Sequence, residues 1–224
     1  MFHQLQVIKD QIEHRYGGGV IKNHSTSVQK CLFDQLTLVF LNPGEFRASQ
    51  FSKYSLNAIL DYLQKTHTYY LEKCLDEISL GLSVLTYKSD YKKYWSPVLQ
   101  HAFATYISEL KLHIDEEESD LFPYIRSLIN AKESGHLEFS FEQKLMLINH
   151  LLNHTDEPEK KLRSLIELLE DKKEHFEDRL ALNVLLSKLK SFERDLLIHA
   201  KLEEQVLIPM ALELEKEVLE CTDF

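Results

Sequence analysis

A histidine followed four residues later by a glutamate occurs in two similar strings of the chain. One copy is HIDEEESDLFP, with His113 and Glu117, and the other is HAKLEEQVLIP, with His199 and Glu203. Both copies also carry a second glutamate, a leucine and a proline at matching positions. Residues four apart share one face of an α-helix, with Cβ atoms about 5–6 Å apart, so each pair can reach one metal ion. The repetition indicates a metal site with two equivalent halves.

Two further histidines lie within apolar helical patterns: His67 in YLQKTHTYYL and His154 in INHLLNHTDEP. Both lie about as deep in their segments as His113, near 20 Å at about 1.5 Å per residue. The fourth helical segment is long enough for His199 to reach the same level. A lone histidine in such a pattern is more often a surface or core residue. The doubled motif and the matched depth favour metal binding.

The expected ligand set supports a two-metal centre. Its halves are His67 with His113 and Glu117, and His154 with His199 and Glu203. Two ions that share four imidazoles, two bridging carboxylates and an oxo or hydroxo bridge each keep a position for a small molecule. Ions bridged in this way lie about 3.5–4 Å apart. Such a donor set suits iron, manganese or zinc.

Long helices must position these residues. Apolar residues recur at three- and four-residue intervals in segments at about 54–82, 96–130, 140–171 and 178–219. Short links between long helices make successive helices antiparallel, and no segment alternates like a strand. The pattern predicts an all-α protein with an up-down-up-down four-helix bundle over residues 51–224. A short helical N-terminal extension of unknown role is expected over residues 1–50.

Prolines mark the ends of the motifs. Pro123 and Pro209 each lie ten residues after the motif histidine and are expected to bend their helices just beyond the site. Pro158 stands four residues after His154, where the other motif has glutamate. The third helix therefore offers a histidine without a bridging carboxylate.

The order His, His-x-x-x-Glu, His, His-x-x-x-Glu over four helices resembles the hemerythrin-like domain. With FSKYSLNAILDYLQKTHTYYLEK around the first histidine, it is similar to the repair of iron centres family. Those are di-iron proteins linked to recovery of iron–sulfur clusters after nitrosative and oxidative stress. The resemblance covers about residues 45–215 and implies six iron ligands: His67, His113, Glu117, His154, His199 and Glu203. Many family members begin with a domain that bears a cysteine pair, whereas residues 1–50 contain only Cys31.

Composition restricts the partners. The net charge of −10 is unsuited to nucleic acid or an anionic membrane, because phosphate binding requires clustered Lys and Arg. The cysteines Cys31, Cys74 and Cys221 form no C-x-x-C pair, which is typical of a reducing compartment. The N-terminal MFHQLQVIKDQ has no apolar leader. We expect a cytoplasmic protein without a membrane partner.

The function expected from this resemblance is a stress-response protein that binds O2 or NO at two irons. Proteins with damaged iron–sulfur clusters are its candidate partners, and whether it is an enzyme stays open. The alternative is a sensor or carrier of O2, NO or iron. His150, four residues before His154, could be a fifth histidine ligand and leave one open position, as in oxygen carriers. A ferritin-like site is not favoured, since its E-x-x-H motif occurs only once, at Glu133 and His136.

Other residues could face the metals from helical positions near the ligands. Glu109 and Asp195 each precede a ligand histidine by four residues, and Tyr70 and Tyr106 have compatible spacings. The carboxylates could accept hydrogen bonds from ligands or be ordinary surface charges. The tyrosines could equally be core residues.

Overall fold

The computed structural model describes residues 27–87, 95–134, 147 and 158–222, most of which are helical. No strand occurs within these ranges. The described part of the chain is therefore all-α, as the periodicity predicts. The first part of the expected N-terminal extension, residues 1–26, lies outside the described residues. Among the described helices, none is long and apolar enough to cross a lipid bilayer.

Several of the described α-helices are separated only by a π-helical turn. The α-helices and π-helical turns, in chain order, are α1 (Ser27–Leu41), α2 (Leu56–Tyr69), π1 (Tyr70–Cys74), α3 (Leu75–Tyr87), α4 (Trp95–Glu116), π2 (Glu117–Leu121), α5 (Phe122–Ser134), α6 (Pro158–Asp171), α7 (Arg179–Leu202), π3 (Glu203–Leu207) and α8 (Ile208–Thr222). Short 3-10 turns occupy Pro43–Glu45, Ala48–Gln50 and Lys173–His175. Three of the four predicted segments thus correspond to an α-helix, a π turn and a second α-helix. Most of the first half of the remaining segment, at about 140–171, lies outside the described residues.

Each π turn contains a backbone hydrogen bond that spans five residues instead of four. The N–H of Phe122 donates to the carbonyl of Glu117, and the N–H of Ile208 donates to that of Glu203. Pro123 and Pro209 follow as the second residue of α5 and of α8. A proline ring clashes with the carbonyl four residues before it in an α-helix, and a wider turn relieves that clash. The positions at which the sequence predicts bends therefore follow directly on π turns.

The chain divides into two compact units. Unit 1 takes its described residues from Met1–His67, Glu116–Thr155 and Ile198–Phe224, and unit 2 from Thr68–Asp115 and Asp156–Leu197. The core of unit 1 includes fully buried residues of α1, α2, α5 and π3, among them Leu36, Leu63, Ile125 and Leu207. Leu36 belongs to the predicted extension, so the described part of residues 1–50 shares this core.

Unit 2 has a separate core, which α3, α4, α6 and α7 build. Its buried residues include Leu85, Phe103, Leu162 and Leu189. Burying one leucine side chain stabilises a fold by about 1.5–3 kcal/mol, so each unit has its own apolar source of stability. The core of unit 1 supports the ends of the helices that carry the candidate site.

Candidate metal centre

Three of the predicted ligands meet inside unit 1. His67, Glu117 and His199 each offer a ligand atom, and these atoms all lie within 4.8 Å of one another. His67 Nε2 is 3.0 Å from His199 Nε2 and 3.0 Å from Glu117 Oε2. Two ligands at neighbouring corners of an octahedral ion, with bonds of about 2.1 Å, are also about 3.0 Å apart. The two distances of 3.0 Å from His67 Nε2 therefore suit neighbouring ligands of one metal ion.

A fourth predicted ligand lies beside this cluster. Glu203 Oε2 is 3.9 Å from His199 Nε2, one helical turn further along the same segment. Glu117 and Glu203 are each 1% exposed, while His67 and His199 are 2% and 6% exposed. Burying ionised carboxylates is costly unless they are paired or coordinate a metal. A cation between these side chains would offset their negative charge.

The two other predicted ligands are placed differently. His113 lies on α4, in unit 2, and is partly exposed. Within the described ranges, the cluster that could hold a metal does not include it. His154 lies outside the described residues, as does His150. The clustered residues come from both predicted halves of the site, with His67 and Glu117 from one half and His199 from the other.

His67 is held on several sides. Its ring stacks on Phe122, with centroids 5.3 Å apart and an interplanar angle of 4°. Its Nδ1 lies 2.8 Å from Glu118 Oε1, and its Nε2 faces Glu117. Burial alone lowers the pKa of His67, but hydrogen bonds to Glu117 and Glu118 and their charges outweigh burial and raise this pKa to about 9. A proton on His67 thus balances carboxylate charge in the metal-free protein.

The candidate ligands coincide with departures from α-helical geometry. Glu117 and Glu203 are the first residues of π2 and π3, and π1 begins at Tyr70, three residues after His67. Single π turns within α-helices are frequent at functional sites. The only sequence signal for two of these turns is the proline six residues after each glutamate.

Comparison with protein-family models, with curated proteins and with solved structures gives no match. The interpretation of the cluster therefore depends on its residues, their spacing and their burial.

The other residues singled out in the sequence have distinct surroundings in unit 2. Asp195 is buried and accepts a hydrogen bond of 3.0 Å from the Tyr70 hydroxyl. Glu109 is about half exposed and pairs with Lys161 at 3.1 Å, as a surface charge does. The Tyr106 hydroxyl is buried without a hydrogen-bond partner among the described residues, and burial raises its pKa.

Glu118 is the contact residue that the sequence interpretation missed. It lies one residue after Glu117 and accepts a hydrogen bond from His67, which belongs to a different helix. A signal was present, because both copies of the motif carry glutamates at adjacent positions.

Proposed function

We propose that the chain is a non-haem di-iron protein that binds O2 or NO in the response to nitrosative or oxidative stress. We further propose that it supports the repair of damaged iron–sulfur clusters. Metal binding is proposed because His67, Glu117 and His199 lie close together in the interior of unit 1. The ligand order of the sequence, which resembles the hemerythrin-like and repair of iron centres proteins, supports the choice of iron and the role in stress.

The donor chemistry fits this proposal. Imidazole nitrogens and carboxylate oxygens suit iron, manganese and zinc, and here the donors are two histidines and two glutamates, all nearly fully buried. Bound iron supplies coordination positions for a small ligand and electrons for its reduction. His67 and His199 present nitrogens, Glu117 and Glu203 present carboxylates, and the apolar core around them excludes water.

His113 and His154 are the remaining proposed ligands of a two-ion centre. The proposed topology is an up-down-up-down four-helix bundle in which successive helices carry the ligands. Proteins with damaged iron–sulfur clusters are the proposed macromolecular partners.

Metal analysis of protein purified without oxygen tests the proposal. After reconstitution with Fe2+, we expect about two ions per chain, because the ligand set is that of a bridged two-ion centre. The optical spectrum should change when O2 or NO is added to the reduced protein. Well under one ion per chain after reconstitution would refute metal binding. A lasting, reversible O2 adduct would instead identify a carrier.

A further inference from the structure

A chain of polar side chains connects His67 to the protein surface within unit 1. Glu118 Oε1 lies 2.8 Å from His67 Nδ1, and Glu118 Oε2 accepts a hydrogen bond of 2.8 Å from Gln64 Nε2. The Gln64 carbonyl oxygen in turn accepts a hydrogen bond from the Arg126 guanidinium. Arg126 also donates to Asp61 Oδ1 at 2.7 Å. Each group in the chain thus has a partner on either side.

The donor and acceptor roles in this chain have one consistent assignment. An ionised carboxylate only accepts hydrogen bonds, so Nδ1 of His67 carries the hydrogen that faces Glu118. Nε2 is the nitrogen that lies toward Glu117 and His199. A histidine that binds a metal through one nitrogen commonly donates the other N–H to a carboxylate, which fixes the tautomer and the orientation of the ring. The observed contacts match that arrangement.

We propose that Glu118 is a positioning residue that holds His67 with its hydrogen on Nδ1 and its Nε2 turned toward Glu117 and His199. Gln64 and Arg126 hold Glu118 in place. This inference rests on the proposed metal site and assigns the side chains that orient one of its ligands.

Phe122 and Glu118 contact different parts of the His67 ring, which supports this role. Phe122 stacks flat against the ring and limits its tilt, whereas Glu118 contacts the ring edge and selects its rotation. The side chain of Glu118 is 32% exposed and that of Arg126 is 40% exposed. Water therefore still solvates the charges of Glu118 and Arg126. Forming this series of hydrogen bonds thus costs little desolvation free energy. Glu204, the matching residue of the other motif, is exposed.

Binding of Zn2+, measured by competition with a chromogenic chelator, provides the first test. We expect Glu118→Ala to weaken affinity about 10–100-fold, as is usual when a residue behind a metal ligand is lost. Glu118→Gln should weaken it less, since its amide oxygen can still face His67 while its NH2 opposes that of Gln64. Glu116→Gln is the matched control, because it removes the same charge from an exposed neighbour on the same helical segment. Equal affinities in Glu118→Ala and Glu116→Gln would overturn the proposal.

A double-mutant cycle tests the relay through Gln64. Arg126→Leu alone should weaken Zn2+ binding by a smaller factor than Glu118→Ala. In the Glu118→Ala background, the same change should have almost no further effect, because residues that act through one another are not additive. Fully additive losses would show that Arg126 does not act through Glu118.

Nitrogen-15 NMR of the His67 ring gives a readout that stability alone would not change. In Zn2+-loaded wild type and in Glu116→Gln, Nδ1–H should exchange slowly with water and Nε2 should be the metal-bound nitrogen. Glu118→Ala should lose the slow exchange. The same Nδ1–H can be followed in metal-free protein, so this arm decides the role of Glu118 even if the wild type binds no metal. Unchanged exchange in Glu118→Ala would refute the proposal, whereas failure of Zn2+ and Fe2+ binding by the wild type would refute the metal site.

Discussion

His67 is the residue on which most contacts of the candidate centre converge. Its two ring nitrogens face two different carboxylates, and its face lies against Phe122. In the metal-free protein, a proton on this ring takes the electrostatic place of a cation. Metal and proton therefore compete for the same histidine, as is general for imidazole ligands.

The raised pKa of His67 makes the stability of metal-free protein depend on pH. The folded-state pKa is about 9, against about 6.5 for an unfolded chain, so protonation favours the folded state. This contribution is fully present below pH of about 6.5 and is lost as pH rises through about 9, with a size on the order of 3 kcal/mol. Urea unfolding of metal-free protein at several pH values measures it.

His67→Gln is the reference for this experiment, since it lacks the titrating ring. The difference in unfolding free energy between wild type and His67→Gln should shrink as pH rises from 7 to about 10. A difference that grows over that interval would contradict the assignment of the proton to His67.

The carboxylates Glu117 and Glu203 are expected to contribute comparably to metal binding. Glu117→Gln and Glu203→Gln each keep the side-chain size but remove a charged ligand oxygen. Each should lose more affinity than the about 10–100-fold expected for residues behind the ligands. His175→Ala, in a 3-10 turn of unit 2, should bind metal as the wild type does. Equal metal content in all three variants would contradict the ligand assignment.

At the scale of the elements, the helices were predictable and the π turns within them were not. Apolar spacing of three and four residues located the helical segments, because burial of one face imposes that period. In π2 the residues Glu117, Glu118, Ser119 and Asp120 are polar. Because these four residues are polar, no apolar spacing in the sequence reveals the wider turn. The prolines indicated where α-helical geometry fails but not how the chain adapts.

The candidate site was partly predictable for the same reason. A spacing of four residues fixes which side chains share a helical face, which identified the pairs His113/Glu117 and His199/Glu203. It does not fix the rotation of one helix against another. The contact between Glu118 and His67 joins two helices, so sequence spacing alone could not predict it. All six ligand assignments, with His113 and His154 among them, stay predictions.

Tyr70, the first residue of π1, is expected to stabilise α7 through Asp195. Tyr70→Phe removes the hydroxyl that donates to this buried carboxylate, which should cost about 1–3 kcal/mol of unfolding free energy. Urea unfolding measures the loss. Tyr54→Phe is the matched control, because the buried Tyr54 hydroxyl has no hydrogen-bond partner among the described residues. An equal cost for both changes would contradict the importance of the Tyr70–Asp195 hydrogen bond.

At the scale of the whole molecule, the two units have separate cores and the described cluster belongs to unit 1 alone. A ligand that binds only the folded state stabilises it by about 2.7 kcal/mol at a free concentration of 100 Kd. Local opening often occurs in separate cooperative regions. We therefore expect bound metal to stabilise mainly unit 1, which contains the cluster.

Hydrogen exchange measured by mass spectrometry, with and without Zn2+, checks this expectation. Exchange should slow most in the parts of unit 1 around Glu117 and His199. Segments of unit 2 that are distant from the cluster in sequence, such as 182–189, should change less. Uniform slowing across both units would show that they open as one cooperative body.

A π turn contains one residue more than the α-helical turn it replaces. The helix after such a turn therefore keeps the helical register that it would have if the extra residue were absent. Removing one residue from π2 would restore α-helical spacing there, in which the Pro123 ring would clash with the carbonyl of Ser119. It would also rotate the side chains next to the turn, including Glu117, by up to about 100°. The extra residue thus both accommodates Pro123 and sets the direction of the Glu117 side chain.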